Sequence, residues 1–281
     1  MRIDPHTHSA YSDGTEAPAA LMAAAARAGL DVIGLTDHDT TAGWAEAAAA
    51  VPETGVTLLR GAEISCSDDG VTLHLLAYLF DPDYAPLADA LAHARDSRSN
   101  RTRIMVEKLA ADYPIGWEDV LAQATDASTI GRPHIADALV AAGVFPNRSA
   151  AFSGPLATSS PYYVHYWALD PVDACRLVRE AGGVPVAAHP RAANRQRRLV
   201  PDATFAEMAA AGLAAIEVDH RDHDSAQREQ ARALAQRLGL GASGASDYHG
   251  AGKPNRLGEN LMAPALLERI VAEGTLPLLT P

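Results

Sequence analysis

Short apolar stretches recur seven times along this chain, and each brings an imidazole or a carboxylate at or near its end. Residues 2–4, 31–36, 57–60, 71–78, 184–188, 215–218 and 240–244 read as strands, with alanine-rich stretches of helical period between most of them. Strand–helix alternation predicts an α/β fold, and polar groups gathered at strand ends predict a barrel with its chemistry at that rim. In Asp4-Pro5-His6-Thr7-His8 the histidines lie two apart, so on a strand both rings share one face. Asp13, in the polar turn Ser12-Asp13-Gly14, is placed to curl back over the same point. Strand 31–36 ends in Asp37-His38-Asp39, strand 57–60 is followed by Glu63, and strand 71–78 carries His74. Strand 184–188 ends at His189-Pro190 and strand 215–218 at Asp219-His220. Asp247-x-His249, after strand 240–244, repeats the spacing of the first pair.

Between 81 and 184 the alternation stops. A helix is expected over 86–111, apolar at Leu87, Leu91, Ile104, Met105 and Leu109 and basic in its middle at Arg95, Arg98, Arg101 and Arg103. Further helices are expected at 117–124, 133–142 and 171–181, and no strand is evident. The chain is therefore read as one barrel over residues 1–281, interrupted over 82–183 by a helical insertion at its mouth. Elsewhere helices are expected at 15–29, capped by Thr15 and closed by Gly29, and at 42–50, 205–212, 225–238 and 263–272.

A chain of 281 residues, 48% hydrophobic and 21% charged, holds enough apolar material for a sizeable core. Its formal charge of −12 speaks against a long nucleic-acid groove, although a bound metal cluster reverses the field locally. Two cysteines make no disulfide framework, and Met1-Arg2-Ile3-Asp4 shows no signal-peptide core. A cytoplasmic protein is expected, with no membrane anchor and no obligate protein partner.

The ligand pool is His6, His8, Asp13, His38, Glu63, His74, His189, Asp247 and His249. One zinc takes four or five ligands. This pool suits two or three divalent ions, with Glu63 or Asp13 able to bridge. Imidazole mixed with carboxylate fits Mn²⁺, Zn²⁺ or Fe²⁺, with Mn²⁺ placed first, whereas Ca²⁺ and Mg²⁺ prefer oxygen alone. A multinuclear site of this kind activates water and offsets charge on a transferring phosphoryl group.

At these residues the chain resembles the PHP (polymerase and histidinol phosphatase) superfamily. The likeness rests on His6-Thr7-His8, Thr36-Asp37-His38-Asp39, Gly61-Ala62-Glu63, His74, Ala188-His189-Pro190 and Ser246-Asp247-Tyr248-His249, and covers about residues 1–80 and 184–260. It implies a distorted (β/α)₇ barrel and a two- or three-metal phosphoesterase site. It also implies one ion on His6, His8, Glu63 and Asp247, a second on Glu63, His74 and His189, and a third on Asp13, His38 and His249. Aspartate at position 13, where some relatives have histidine, alters the third site's preference. Ile130-Gly131-Arg132-Pro133-His134-Ile135-Ala136, with the basic helix around Ser99-Asn100-Arg101, is similar to the stand-alone PHP phosphoesterases of nucleoside 5′- or 3′,5′-phosphates and, in some members, of short RNA ends.

Arg132 and His134 are then the candidate phosphate contacts, the guanidinium as a bidentate clamp. Asn100 and Arg101 are candidates for a second phosphate or the ribose, and Arg191 for a further contact. Catalytic roles are expected of His38, His189 and Asp13, with either histidine, a metal-bound water, or His134, able to protonate the leaving oxygen. His93, His165, His220 and His223 are read as surface or core residues, and Tyr162, Tyr163 and Tyr166 as packing or base-stacking rings. The expected activity is hydrolysis of a phosphate monoester of a small nucleotide, such as a 3′,5′-bisphosphonucleotide or AMP. The competing readings are a 5′-3′ exonuclease on short RNA ends, a histidinol-phosphate phosphatase, a metal-dependent amidohydrolase and a non-catalytic accessory barrel. A neutral amide needs no cationic clamp, which sets the insertion arginines against the amidohydrolase.

Overall fold

The computed structural model describes residues 1–124, 129–195 and 198–281. One curled sheet takes its strands in sequence order: β1 (Ile3–Thr7), β2 (Val32–Leu35), β3 (Thr57–Asp68), β4 (Val71–Tyr78), β5 (Val184–Ala188), β6 (Ala215–Asp219) and β7 (Gly241–Gly244). Its two edges are tied by a bridge between Thr7 and Tyr248, where His8 N–H donates to Tyr248 O at 2.9 Å. The result is the distorted α/β barrel that the sequence pattern implies. β1, β2 and β5 are buried at every position; β2 and β5 are apolar runs, as burial on both faces requires, whereas β1 also buries the polar Asp4, His6 and Thr7.

β1, β2 and β3 run parallel, as do β5, β6 and β7, but β4 is antiparallel to both its neighbours. This corrects the strand-end reading of Glu63 and His74. β3 does not stop at Arg60; it continues to Asp68 and turns back as β4 through Asp69-Gly70. Those two residues have φ of 45° and 75°, the left-handed pair that a two-residue hairpin turn demands and that Asp-Gly supplies. Glu63 therefore lies inside β3, and His74 lies in mid-strand, opposite Ser65 and Ala188.

Close approach of β1 and β2 brings the first ligands together. A β-carbon at Gly34 would stand 1.9 Å from Pro5 O, so only glycine lets the strands close. Thr7 Oγ1 donates to Gly34 O at 2.7 Å, and Thr36 N–H to Thr7 O at 2.9 Å, which sets His6 and His8 beside the turn that carries His38.

Before β4, the helices are α1 (Pro18–Arg27), α2 (Trp44–Ala49) and α3 (Val51–Thr54). Between β4 and β5 come α4 (Ala85–Leu109), α5 (Trp117–Leu121), α6 (Arg132–Ala141), α7 (Arg148–Ser153) and α8 (Pro171–Glu180). After β5 come α9 (Asp202–Ala210), α10 (Ser225–Leu238) and α11 (Pro264–Glu273). Thr15 does not cap α1. It accepts Ala251 N–H at 2.9 Å and so braces the loop after His249.

The buried face of α4 is apolar at Leu87, Leu91 and Ala94, cationic at Arg98 and Arg101, and apolar again at Met105, Val106 and Leu109. Ile104, expected on that face, is 45% exposed. Arg98 is tied to Asp39 and Ser65 of the barrel, and Arg95 donates to Asp39 O at 2.6 Å. The far end of α4 joins α5, α6 and α7 around Leu109, Val120, Ile135 and Leu139, a cluster distinct from the barrel core. Among the described residues no helix is long and apolar enough to cross a membrane.

Candidate metal centre

The structure brings all nine ligand candidates to one place. Their ligand atoms fall into three overlapping groups: His6, His8, Glu63 and Asp247; His8, Asp13, His38 and His249; and His38, Glu63 and His74. His189 joins the last, its Nε2 3.1 Å from Glu63 Oε1. Glu63 bridges, with Oε2 3.0 Å from His8 Nε2 and Oε1 2.7 Å from His74 Nδ1. The grouping differs in detail from the expected sets: His38 stands between the second and the third, and His8 reaches the third.

Outer partners fix the ring tautomers. His6 Nδ1 lies 2.9 Å from Glu217 Oε1, an acceptor, so it carries the proton and leaves a lone pair on Nε2. Ser12 Oγ donates to Asp37 Oδ1 at 2.6 Å and lies 3.3 Å from His8 Nδ1, which leaves the His8 lone pair on Nε2 as well. The two Nε2 atoms are 3.0 Å apart. Lone pairs facing each other among carboxylate oxygens repel unless a cation stands between them. His249 repeats the pattern: Nδ1 donates to Asp247 O at 2.8 Å, while Nε2 faces Asp13 Oδ1 at 3.1 Å. Among the described residues, His38 Nδ1 and His249 Nε2 are buried without a partner of hydrogen-bond geometry. This donor set fits divalent ions.

Protons are the other cation such a cluster can take up. Burial opposes charge on His6, but Glu63, Glu217 and Asp247 carry its pKa well above the usual value. His8 is raised to about 9 against burial, through hydrogen bonds to Asp247 and Glu63. Burial brings His38 and His189 well below the usual value, with Arg195 adding to the effect on His189, and takes His249 to about 4. Asp39, His189 and Asp247 have φ of 55°, 30° and 53°, backbone that non-glycine residues adopt at a cost of about 1–3 kcal/mol each.

A cavity of about 650 Å³ adjoins the cluster and is lined on its cationic side by Arg98, Arg101, Arg132, Arg148, Arg195 and Lys253. Arg101 is buried under the Tyr166 ring at 4.3 Å, and its Nε has no partner. Arg132 stands between the rings of Phe152 and Tyr163, each at 5.3 Å, and gives one hydrogen bond, to Leu156 O at 3.0 Å. Among the described residues no carboxylate pairs with either guanidinium. Burial, then the charge of Arg132, pushes Arg101 down to about 10.

Three expected substrate contacts lie elsewhere. Asn100 is exposed, off the face of α4 that carries Arg98 and Arg101. His134 is buried, and its Nδ1 accepts Gly131 N–H at 3.1 Å, capping α6. Arg191 turns into α9, where it pairs with Asp202 over the Phe205 ring. Tyr163 and Tyr166 line the cavity, whereas Tyr162 donates to Asp112 Oδ2 at 2.5 Å.

His220 and His223 are buried, within the surface-or-core reading, and both lie beside the site. His220 is buried with Nε2 3.7 Å from Asp247 Oδ2, and His223 Nε2 accepts Arg191 N–H at 3.1 Å. Glu217, Arg195 and Lys253 also went unread in the sequence. Glu217 had a usable signal, a lone acid inside an apolar run. The two cations reach Asp247 Oδ2 at 2.7 and 2.9 Å only through loop folding.

Comparison with known proteins gives the family. Residues 4–130 match the PHP domain family. The chain is 35% identical over 256 residues to a 3′,5′-nucleoside bisphosphate phosphatase from Chromobacterium violaceum, covering 90% of this chain and 89% of that protein. This chain belongs to the PHP family. It is 30% identical over 261 residues to a 5′-3′ exoribonuclease from Haemophilus influenzae, covering 92% of this chain and 94% of that one. The crystal structure of a protein from Bifidobacterium adolescentis, described as a candidate metal-dependent phosphoesterase, superposes with a TM-score of 0.95 at 45% identity, covering 97% and 96% of the two chains. This PHP chain is a metal-dependent phosphoesterase, a hydrolase.

Proposed function

We propose that this PHP phosphoesterase hydrolyses a phosphate monoester of a small nucleotide, a 3′,5′-bisphosphonucleotide first and AMP next. The observation that carries the reading is the pair Arg101 and Arg132. These are guanidiniums within one another's field, without a carboxylate partner among the described residues, lining the cavity that the ligand cluster also lines. Cations removed from water require an anion. The bisphosphate phosphatase and the exoribonuclease that the chain is similar to support a nucleotide substrate.

In this reading His6, His8, Glu63 and Asp247 hold one ion, Glu63, His74 and His189 a second, and Asp13, His38 and His249 a third, with Mn²⁺ favoured over Zn²⁺ or Fe²⁺. Bound there, the ions supply an activated water and offset charge on the phosphoryl group. His38 and His189, neutral through burial, serve catalysis as ligands, and Asp13 with them. Arg132 and Arg101 grip phosphate oxygens, and Tyr163 and Tyr166 offer ring faces to ribose or base. Water oxygen bonds to phosphorus as the ester P–O bond breaks, and the proton that the attacking water gives up ends on the alcohol oxygen. The insertion over 82–183 acts as the substrate-binding cap of one barrel spanning 1–281; its residues 125–128 lie outside the described set.

The test is phosphate release from adenosine 3′,5′-bisphosphate, AMP, a short 5′-phosphorylated RNA and histidinol phosphate, with Mn²⁺ and after chelation. Release that favours the bisphosphate and stops without metal supports the reading. A tenfold preference for the RNA in kcat/KM would move it to an exonuclease. Release from histidinol phosphate alone would overturn it.

A further inference from the structure

Arg195 lies on the loop after β5, outside every ligand set. Three groups place its guanidinium. Nε and Nη2 reach Asp222 Oδ2 at 2.6 Å, Nη2 reaches Asp247 Oδ2 at 2.7 Å, and Nη1 lies 3.0 Å from His189 Nε2. Asp247 belongs to the His6–His8 group, and His189 sits on the far oxygen of the bridging Glu63. The guanidinium therefore spans two neighbouring ligand groups, and it lines the cavity. The carboxylates anchor Nε and Nη2; Nη1 alone rests on a ring nitrogen. That nitrogen has a single lone pair. Once it ligates an ion, the Nη1 hydrogens have no acceptor among these partners and remain free to meet a ligand oxygen. Asp222 is itself held, accepting from Asn194 Nδ2 at 3.3 Å, so the arm stays aimed.

We propose that Arg195 is a catalytic residue whose Nη1 donates to a non-bridging oxygen of the reacting phosphoryl group. This role rests on the phosphomonoesterase reading above and differs from that of Arg101 and Arg132. Those set the binding of the substrate as a whole; Arg195 meets the reacting phosphoryl group itself, a contact that inorganic phosphate shares and that strengthens as charge develops over the ions. Removing one such preorganised donor costs about 10²–10³ in kcat.

The experiment compares Arg195→Ala, Arg195→Lys and Asp222→Asn with wild type in three readouts: kcat and KM on the bisphosphate, metal content by elemental analysis, and calorimetric binding of inorganic phosphate to the Mn²⁺-loaded protein. The expected result is a kcat loss of about 10²–10³ in Arg195→Ala, with KM within about threefold, metal content unchanged and phosphate affinity lowered at least tenfold. Arg195→Lys recovers part of the kcat, since it keeps the charge and loses the fork. Asp222→Asn falls between, with metal retained. Three results would overturn the role: Arg195→Ala with kcat within threefold of wild type, unchanged phosphate affinity, or metal loss whose reversal at high Mn²⁺ restores kcat. Wild-type protein that releases phosphate from no phosphoester would instead refute the underlying reading.

Discussion

Glu217→Gln removes the charge that aims two candidate ligands at once. Glu217 Oε1 accepts the His6 Nδ1 proton at 2.9 Å, and Oε2 accepts His189 N–H at 2.7 Å. The side chain is fully buried, and although burial raises its pKa, His6 more than offsets that and holds the carboxyl below its usual range. Glutamine keeps the shape but offers one oxygen to two donors, so one contact becomes N–H against N–H. A hydrogen bond to a charged group contributes about 1.5–3 kcal/mol. At about 1.4 kcal/mol per decade this predicts one to two decades in metal affinity, the scale of about 10–100-fold typical of outer-shell partners of ligand imidazoles. The assay is Mn²⁺ competition between the chelated protein and a chromogenic chelator, with kcat measured at saturating metal. Affinity should fall about 10–100-fold while kcat at millimolar metal returns to within about threefold of wild type. Glu217→Gln protein that binds Mn²⁺ like wild type would refute the claim that this carboxylate fixes the ligand lone pairs.

Other predictions are sharp enough to fail. Arg132→Ala should raise KM for the bisphosphate at least about tenfold with little change in kcat, since its contact is made in the ground state; a pure kcat effect would contradict this. Arg101→Met should weaken substrate binding yet raise the Tm of the metal-free protein by about 2 °C, because a buried guanidinium beside Arg132 is replaced by packing; scanning calorimetry decides, and a lower Tm refutes it. His8, at about 9, is protonated in the metal-free fold at neutral pH, and a ligand ring must be neutral. Mn²⁺ binding should therefore release protons and strengthen as pH rises toward 9, visible as a buffer-dependent binding enthalpy. Gly34→Ala, with its β-carbon 1.9 Å from Pro5 O, should cost at least about 3 kcal/mol in urea denaturation, and an unshifted midpoint would show that β1 and β2 can part there.

The cluster of candidate ligands was legible because such residues fall in local patterns: His6 and His8 two apart on a strand, Asp247 and His249 two apart after another, His38 and His189 at strand ends. The course of β3 and β4 was not, because a run broken by Glu63 and His74 looks like two loop-ended strands. Only the Asp69-Gly70 turn signals a hairpin. Arg132 lines the cavity beside the cluster, whereas Asn100, His134 and Arg191 point elsewhere. Helical phase, an α6 cap and a salt bridge to Asp202 direct those side chains, and adjacency in sequence records none of these. Arg195 and Lys253 meet at Asp247 through two separate loops, a convergence that exists only in the folded chain.

The most direct test of the central claim is to strip the protein of metal, add Mn²⁺ in measured equivalents, and follow phosphate release from adenosine 3′,5′-bisphosphate at each step. The overlapping ligand groups predict no release at zero equivalents and a rise that saturates at two to three per chain. Full activity in excess chelator, or saturation at a single equivalent, would contradict a catalytic centre built from this cluster.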